Sequence, residues 1–228
     1  MGDMCGRFVL FTTDEQLVDE ARRVLDVADI DTPQGCPPSR YNIAPTQSIP
    51  ALVLSELLAD AASSAPVSLR AARWGLLPEW KKDTTGPVLF NARAETVASK
   101  PSFRTAFSRS RCVIPMDGYY EWKDKQPYFV HRDDRELLWA AGLAATGVEQ
   151  LSSTIITTAS AEPIAWLHDR MPRLLTAEEA RAWLMGEKDM AERIVAGPSP
   201  ESLRAHIVSS PADKAVGAVS NDYPELIS

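Results

Sequence analysis

RCVIPMDGYYEWKDKQPYFVHR, residues 111–132, decides the fold class. It holds three short runs rich in β-branched and aromatic residues, RCVIP, GYYEWK and QPYFVHR, and the Asp117-Gly118 step is a turn leading into the second. Runs of this length and composition between turn residues read as strands. Upstream, PALVLS (50–55) and VSLRAARWG (67–75) have the same character, and downstream so do ELLWAAGLAAT (136–146), SSTIITT (152–158) and AHIVSS (205–210). Their lengths are irregular and no steady strand–helix alternation links them. The pattern predicts an α+β protein with a mainly antiparallel sheet or barrel-like core and flanking helices, and argues against a doubly wound parallel sheet.

Helices are predicted in three places. TTDEQLVDEARRVL offers Thr12 or Thr13 as N-cap and sets Leu17, Ala21, Val24 and Leu25 on one face. TAEEARAWLMG runs from Thr176, with Glu179 as its capping-box partner, to Gly186 as a stop signal, and a third helix covers about 188–196. DTPQGCPPS (31–39), RYNIAPTQ (40–47) and ADAASSAP (59–66) read as loops.

The chain has 228 residues, 45% hydrophobic and 24% charged, which suits one globular domain. That domain is expected over 4–228, with 1–3 as an N-terminal extension or an early start. No apolar run approaches a membrane span and the N-terminus lacks signal-peptide character, so a cytoplasmic protein without a membrane partner is expected. Cys5, Cys36 and Cys112 are odd in number and widely spaced, which indicates neither a disulfide framework nor a metal site. A net charge of −7 argues against indiscriminate nucleic-acid binding, yet 17 arginines against 7 lysines leave room for a local groove suited to phosphates and base stacking.

Several clusters could carry chemistry. MCGRF places Cys5 directly after Met4. As a chain terminus, Cys5 would present an α-amine of reference pKa ~7.7–8.0 beside a thiol of ~8.5, a pair able to convert an aldehyde first to an imine and then to a thiazolidine. As an internal residue it reads as a small buried hydrophobe. FNARAETV (90–97) spaces Asn91, Arg93 and Glu95 at alternate positions, which on a strand would line one face, either a polar wall or a solvated edge. In GYYEWK, Glu121 lies among aromatic residues, where a carboxyl is a candidate for a raised pKa and general-acid work, or else a surface glutamate. In AWLHDRMP (165–172), His168 lies between a short helix and a Met-Pro turn, a loop position that suits catalysis as well as structure. Asn42 and Pro45 could border a ligand groove, and Trp74 and Trp80 could stack on single-stranded bases or pack in the core.

MCGRF, RYNIAPTQ, RWGLLPEW, NARAETV, RCVIPMDGYYEW, AAGL and HDRMP, in this order, resemble the SOS response-associated peptidase (SRAP) family. The resemblance covers essentially the whole chain from Met4 to AVGAVSND. It implies a sensor of abasic sites in single-stranded DNA that shields the lesion through a covalent DNA–protein crosslink. Carried over position by position, it implies that Cys5 is the crosslinking nucleophile and that Asn91 holds its amine. Glu121 would promote opening of the abasic sugar and His168 would assist proton transfers. Arg7, Arg93 and Arg170 would meet phosphates, and Trp74, Trp80 and Trp122 would stack on bases. No metal or organic cofactor is expected, a monomer suffices, and a weak lyase side activity follows if reaction stops at the imine.

Met1-Gly2-Asp3 ahead of Met4 departs from the family pattern. Exposure of Cys5 requires translation from Met4 or cleavage of the Met4–Cys5 bond, the peptidase activity that the family name implies; otherwise this chain does not crosslink. Two further readings stand beside this one: an N-terminal-nucleophile amidohydrolase, which shares the Cys-Gly start, and a non-covalent single-strand-binding module.

Overall fold

The computed structural model describes residues 6–33, 35, 37–58 and 64–228. The strands are β1 (Arg7–Leu10), β2 (Ile30–Asp31), β3 (Arg40–Ile43), β4 (Ser48–Leu54), β5 (Val67–Trp74), β6 (Asn91–Arg93) and β7 (Arg111–Met116). They continue with β8 (Gly118–Lys123), β9 (Gln126–Arg132), β10 (Leu138–Gly147), β11 (Gln150–Ala159), β12 (Arg170–Pro172) and β13 (Ile207–Pro211). Helices are α1 (Asp14–Leu25), α2 (Arg104–Arg109), α3 (Ala177–Met185), α4 (Lys188–Ala196) and α5 (Glu201–Arg204).

The decisive stretch forms β7, β8 and β9 but divides them between two sheets. A five-stranded sheet runs β13-β9-β8-β1-β3, and the larger one runs β12-β11-β10-β7-β4-β5-β2. Parallel pairing of Ser152 and Ser153 with Arg73 and Trp74 joins β11 to β5 and closes the larger sheet into a barrel. Most other pairings are antiparallel, so the α+β, barrel-like expectation holds.

The smaller sheet is buried on both faces for different reasons. Phe8, Leu10, Tyr119 and Val130 point into the main core. Val9, Tyr120 and Phe129 point the other way and are covered by Ala212, Val216 and Leu226 of the C-terminal segment. That cover is held by polar groups of β3: the Asn42 amide donates to the carbonyls of Val216, Ala218 and Asn221, and Asp222 accepts from the Tyr41 and Asn42 N–H groups and from Arg40. Residues 40–43, expected to be loop, are therefore a strand whose polar groups bind the chain's own C-terminal segment.

The three expected helices form. Thr176 caps α3 by accepting from the Glu179 N–H at 3.2 Å, whereas Thr13 precedes α1 without a side-chain cap and donates to Gln16 instead. Glu179 has a second task. Arg173 is 1% exposed, and its guanidinium donates to both Glu179 carboxylate oxygens at 2.7 and 3.1 Å and to the Ile194 carbonyl at 2.9 Å. Removing one partner of a buried pair strands the other charge in a low dielectric. Glu179→Ala is expected to destabilise the protein by about 3 kcal/mol, the low end for such pairs because Glu179 is partly exposed, as read by urea unfolding. A loss under about 1 kcal/mol would show that the carbonyl partners alone satisfy Arg173.

Candidate active site

A groove of about 690 Å³ opens where β1 begins, lined among others by Gly6, Arg7, Pro45, Thr46, Phe90 and Trp122. Strand register explains the convergence. β1 pairs antiparallel with β8 through Arg7–Tyr120 and Phe8–Tyr119, so Gly6, the residue after Cys5, stands at the Glu121 end of β8. Cys5 itself lies outside the described residues. Glu121 is 4% exposed; alternation along β8 turns it to the same side as the core residue Tyr119, and its Oε1 accepts the Trp122 N–H at 3.1 Å. Trp122 takes the opposite side with Tyr120, a tilted ring contact at 6.4 Å, and so reaches the groove wall.

The Asn91 segment is brought to the same place by Trp74. This ring is wholly buried, edge-on to Phe8 at 5.1 Å and to Phe90 at 5.9 Å, and its Nε1–H donates to the Phe90 carbonyl at 2.9 Å. The same carbonyl accepts from Ile155, and β6 then runs parallel to β11 with Asn91 opposite Ile155. The expectation that Trp74 stacks on a base is corrected: a ring without exposed surface has no face to offer, and here it ties the start of β1 to the Phe90–Asn91 segment.

The His168 loop docks on the β8–β9 hairpin. Tyr128, the cross-strand neighbour of Glu121, meets the Trp166 ring edge-on at 5.1 Å, and the Lys123 ammonium bonds the Trp166 carbonyl. His168 follows two residues later. The expected short helix before it is a series of turns, and the expected Met-Pro turn after it is β12. His168 Nδ1 lies 3.0 Å from both the Arg170 N–H and an Asp169 carboxylate oxygen. The two contacts are alternatives: Nδ1 without a proton accepts from the Arg170 N–H, and Nδ1 carrying a proton donates to Asp169.

The remaining expected residues separate. Asn42 is fully buried, and its amide is consumed by the C-terminal segment and by Arg7, so it cannot border a ligand. Trp80 is 67% exposed but belongs to a different hollow beside Pro101 and Thr105. Arg7 lines the groove while three of its bonds go to Asn42, Val216 and Gly217, and burial lowers its pKa from the ordinary value. Arg93 is exposed at the end of β6. Glu95 does not share its strand face, because β6 ends at Arg93; it grips Arg170 instead, and that hydrogen-bonded guanidinium holds the Glu95 carboxyl below the usual range. Arg170 also donates to the Thr157 carbonyl at 2.7 Å, so a phosphate would have to compete for it.

Thr46 and Phe90 were not among the expected groove residues. Phe90 is an aromatic residue whose side is set only by packing, while the left-handed backbone of Thr46 (φ 77°) carries no sequence signal beyond the preceding proline. Among the described residues, Asp133, Asp134 and His206 also gather potential metal-ligand atoms, all at the surface. Arg132 already neutralises Asp134, and the cluster lies at the Gly118 end of the hairpin, away from the groove.

The architecture is that of a one-domain α+β protein with a barrel and a groove built around the start of its first strand. The chain matches the family model for SOS response associated peptidase (SRAP) over residues 4–218 and belongs to that family. It is 34% identical to the abasic site processing protein YoqW of Bacillus subtilis, over 98% of this chain and 99% of the relative. It is 32% identical to the abasic site processing protein YedK of Escherichia coli, with the same coverage. A phage-related protein of Bordetella bronchiseptica has a similar solved structure, with a TM-score of 0.67, 26% identity and coverage of 91% of this chain and 93% of that one.

Proposed function

We propose that this protein processes abasic sites in single-stranded DNA by forming a covalent crosslink through Cys5 once that residue is the chain terminus. The observation that carries the reading is one groove lined by Gly6, Phe90 and Trp122, the immediate chain neighbours of Cys5, Asn91 and Glu121. Family membership and the abasic site processing relatives support abasic DNA as the substrate.

In this reading Glu121 protonates the ring oxygen of the abasic deoxyribose while the C1′ hydroxyl gives its proton to water, and the C1′–O4′ bond breaks to leave the aldehyde. The Cys5 amine, held by Asn91, attacks C1′, and loss of water leaves an imine. The Cys5 sulfur then adds to the imine carbon while the nitrogen takes the proton, closing a thiazolidine. His168 carries protons during dehydration and its reversal. Release at the imine stage with β-elimination would give a lyase side reaction. Arg7 and Arg93 meet phosphates, Pro45 and Trp122 border the bases, Trp80 offers a further stacking face, and Arg170 joins when phosphate displaces Glu95.

The test is intact mass, before and after incubation with a single-stranded oligonucleotide carrying one abasic site. The expected result is a starting mass lacking residues 1–4, then an adduct equal to protein plus oligonucleotide minus water. A chain beginning at Cys5 that gains no such mass overturns the covalent reading; release of ammonia from free glutamine by that chain would favour an amidohydrolase instead.

A further inference from the structure

A second depression of about 480 Å³ adjoins the groove, and Thr46 belongs to both. Its wall is polar: Ser48, Arg70, Arg73, Glu149 and Gln150 line it with Thr46. Arg73 holds the join. It sits where the barrel closes, paired with Ser48 on one side and Ser152 on the other. Its Nη1 donates to the Gly75 carbonyl at 2.8 Å. Gly75 has φ +136°, and a Cβ there would stand 2.5 Å from Arg73 Nη1 and 2.6 Å from Val88 Cγ1, a residue of the first groove. Only a glycine lets the guanidinium lie on this backbone against the groove lip. One N–H of the planar fork is thus spent on orientation, and the fork keeps further donors for an oxyanion.

We infer that Arg73, with the hydroxyls of Thr46 and Ser48, forms a phosphate subsite that receives the DNA backbone after it leaves the groove past Thr46. The inference rests on the nucleic-acid reading above and extends it: it names the exit path and a contact outside the family-resemblance residues. Glu149 on the same rim opposes a negative ligand, so this subsite contributes salt-dependent affinity of one phosphate and no sequence preference.

The test uses the full chain and undamaged, fluorescently labelled oligothymidylate, so that it does not depend on crosslinking. Affinity is measured by anisotropy between about 50 and 200 mM salt for wild type, Arg73→Gln and Arg73→Lys. On a strand of about 12 nucleotides, R73Q is expected to flatten the log–log salt slope by about 0.7, so that its affinity falls roughly threefold less than wild type over that range. R73K should keep the wild-type slope. On a strand of about four nucleotides, too short to pass Thr46, the proteins should bind alike. A wild-type slope for R73Q, or equal losses in R73Q and R73K on both lengths, overturns the subsite and leaves Arg73 a packing residue. Wild-type protein that binds neither strand overturns the nucleic-acid reading, and the subsite with it.

Discussion

Cys5→Ser is expected to replace a stable abasic-site adduct by one that survives denaturation only when borohydride has reduced it. The α-amine is unchanged by this substitution, so the imine still forms. Ring closure then falls to a hydroxyl, a far weaker nucleophile than a thiol that is appreciably ionised near neutral pH. The imine persists and is open to hydrolysis or β-elimination, so strand cleavage should rise as the stable product disappears. Denaturing gels with and without borohydride measure both, on chains that begin at residue 5. The adduct remaining without reductant should fall at least about tenfold, the order of effect expected when a covalent step loses its nucleophile. An equally stable adduct from the serine variant would place the linkage on some other group. The same gels address the N-terminal extension: with Met1–Met4 in place the Cys5 nitrogen is an amide, and no adduct is expected until those residues are removed.

Glu121→Gln should slow adduct formation by about 10²- to 10⁴-fold, the range typical of a positioned general acid or base, while non-covalent binding of the oligonucleotide stays near wild type. Glu121 is 4% exposed, and its Oε1 already accepts the N–H of Trp122, a groove residue. A glutamine fills the same volume and its carbonyl accepts the same bond, so the wall should keep its shape. What it lacks is an exchangeable carboxyl proton. The step assigned to Glu121 is sugar opening, so an oligonucleotide bearing an aldehyde that cannot cyclise should restore most of the rate to the variant. Equal losses on both substrates would move Glu121 to imine chemistry, and an unchanged rate on the abasic strand would remove it from the mechanism.

The longer strands of the larger sheet were legible because each carries its own run of β-branched and aromatic residues; β4, β5, β7, β10 and β11 all coincide with such runs. The short strands β2, β3, β6 and β12 were not, since two to four residues hold too little pattern and are fixed by partners distant in sequence. Helix α3 was legible from its cap and α1 from its apolar face, both local devices.

For the candidate site the division is similar. The chemistry of Cys5, Asn91, Glu121 and His168 is a property of the side chains and could be read from their motifs. Whether an aromatic or polar residue faces a ligand or the protein itself is a property of packing. RWGLLPEW contains two tryptophans in similar company, yet Trp74 is wholly buried against Phe8 and Phe90 whereas Trp80 is exposed. RYN and NARAE both offer polar groups, yet Asn42 binds the C-terminal segment and Glu95 binds Arg170. The sequence alone determined the candidate reactive groups and the strand-rich core, because those follow from side-chain chemistry and local pattern. The tertiary structure alone decided which polar and aromatic groups are spent on the fold and which remain at the groove, because burial and pairing depend on segments that meet only when the barrel closes and the C-terminal segment docks.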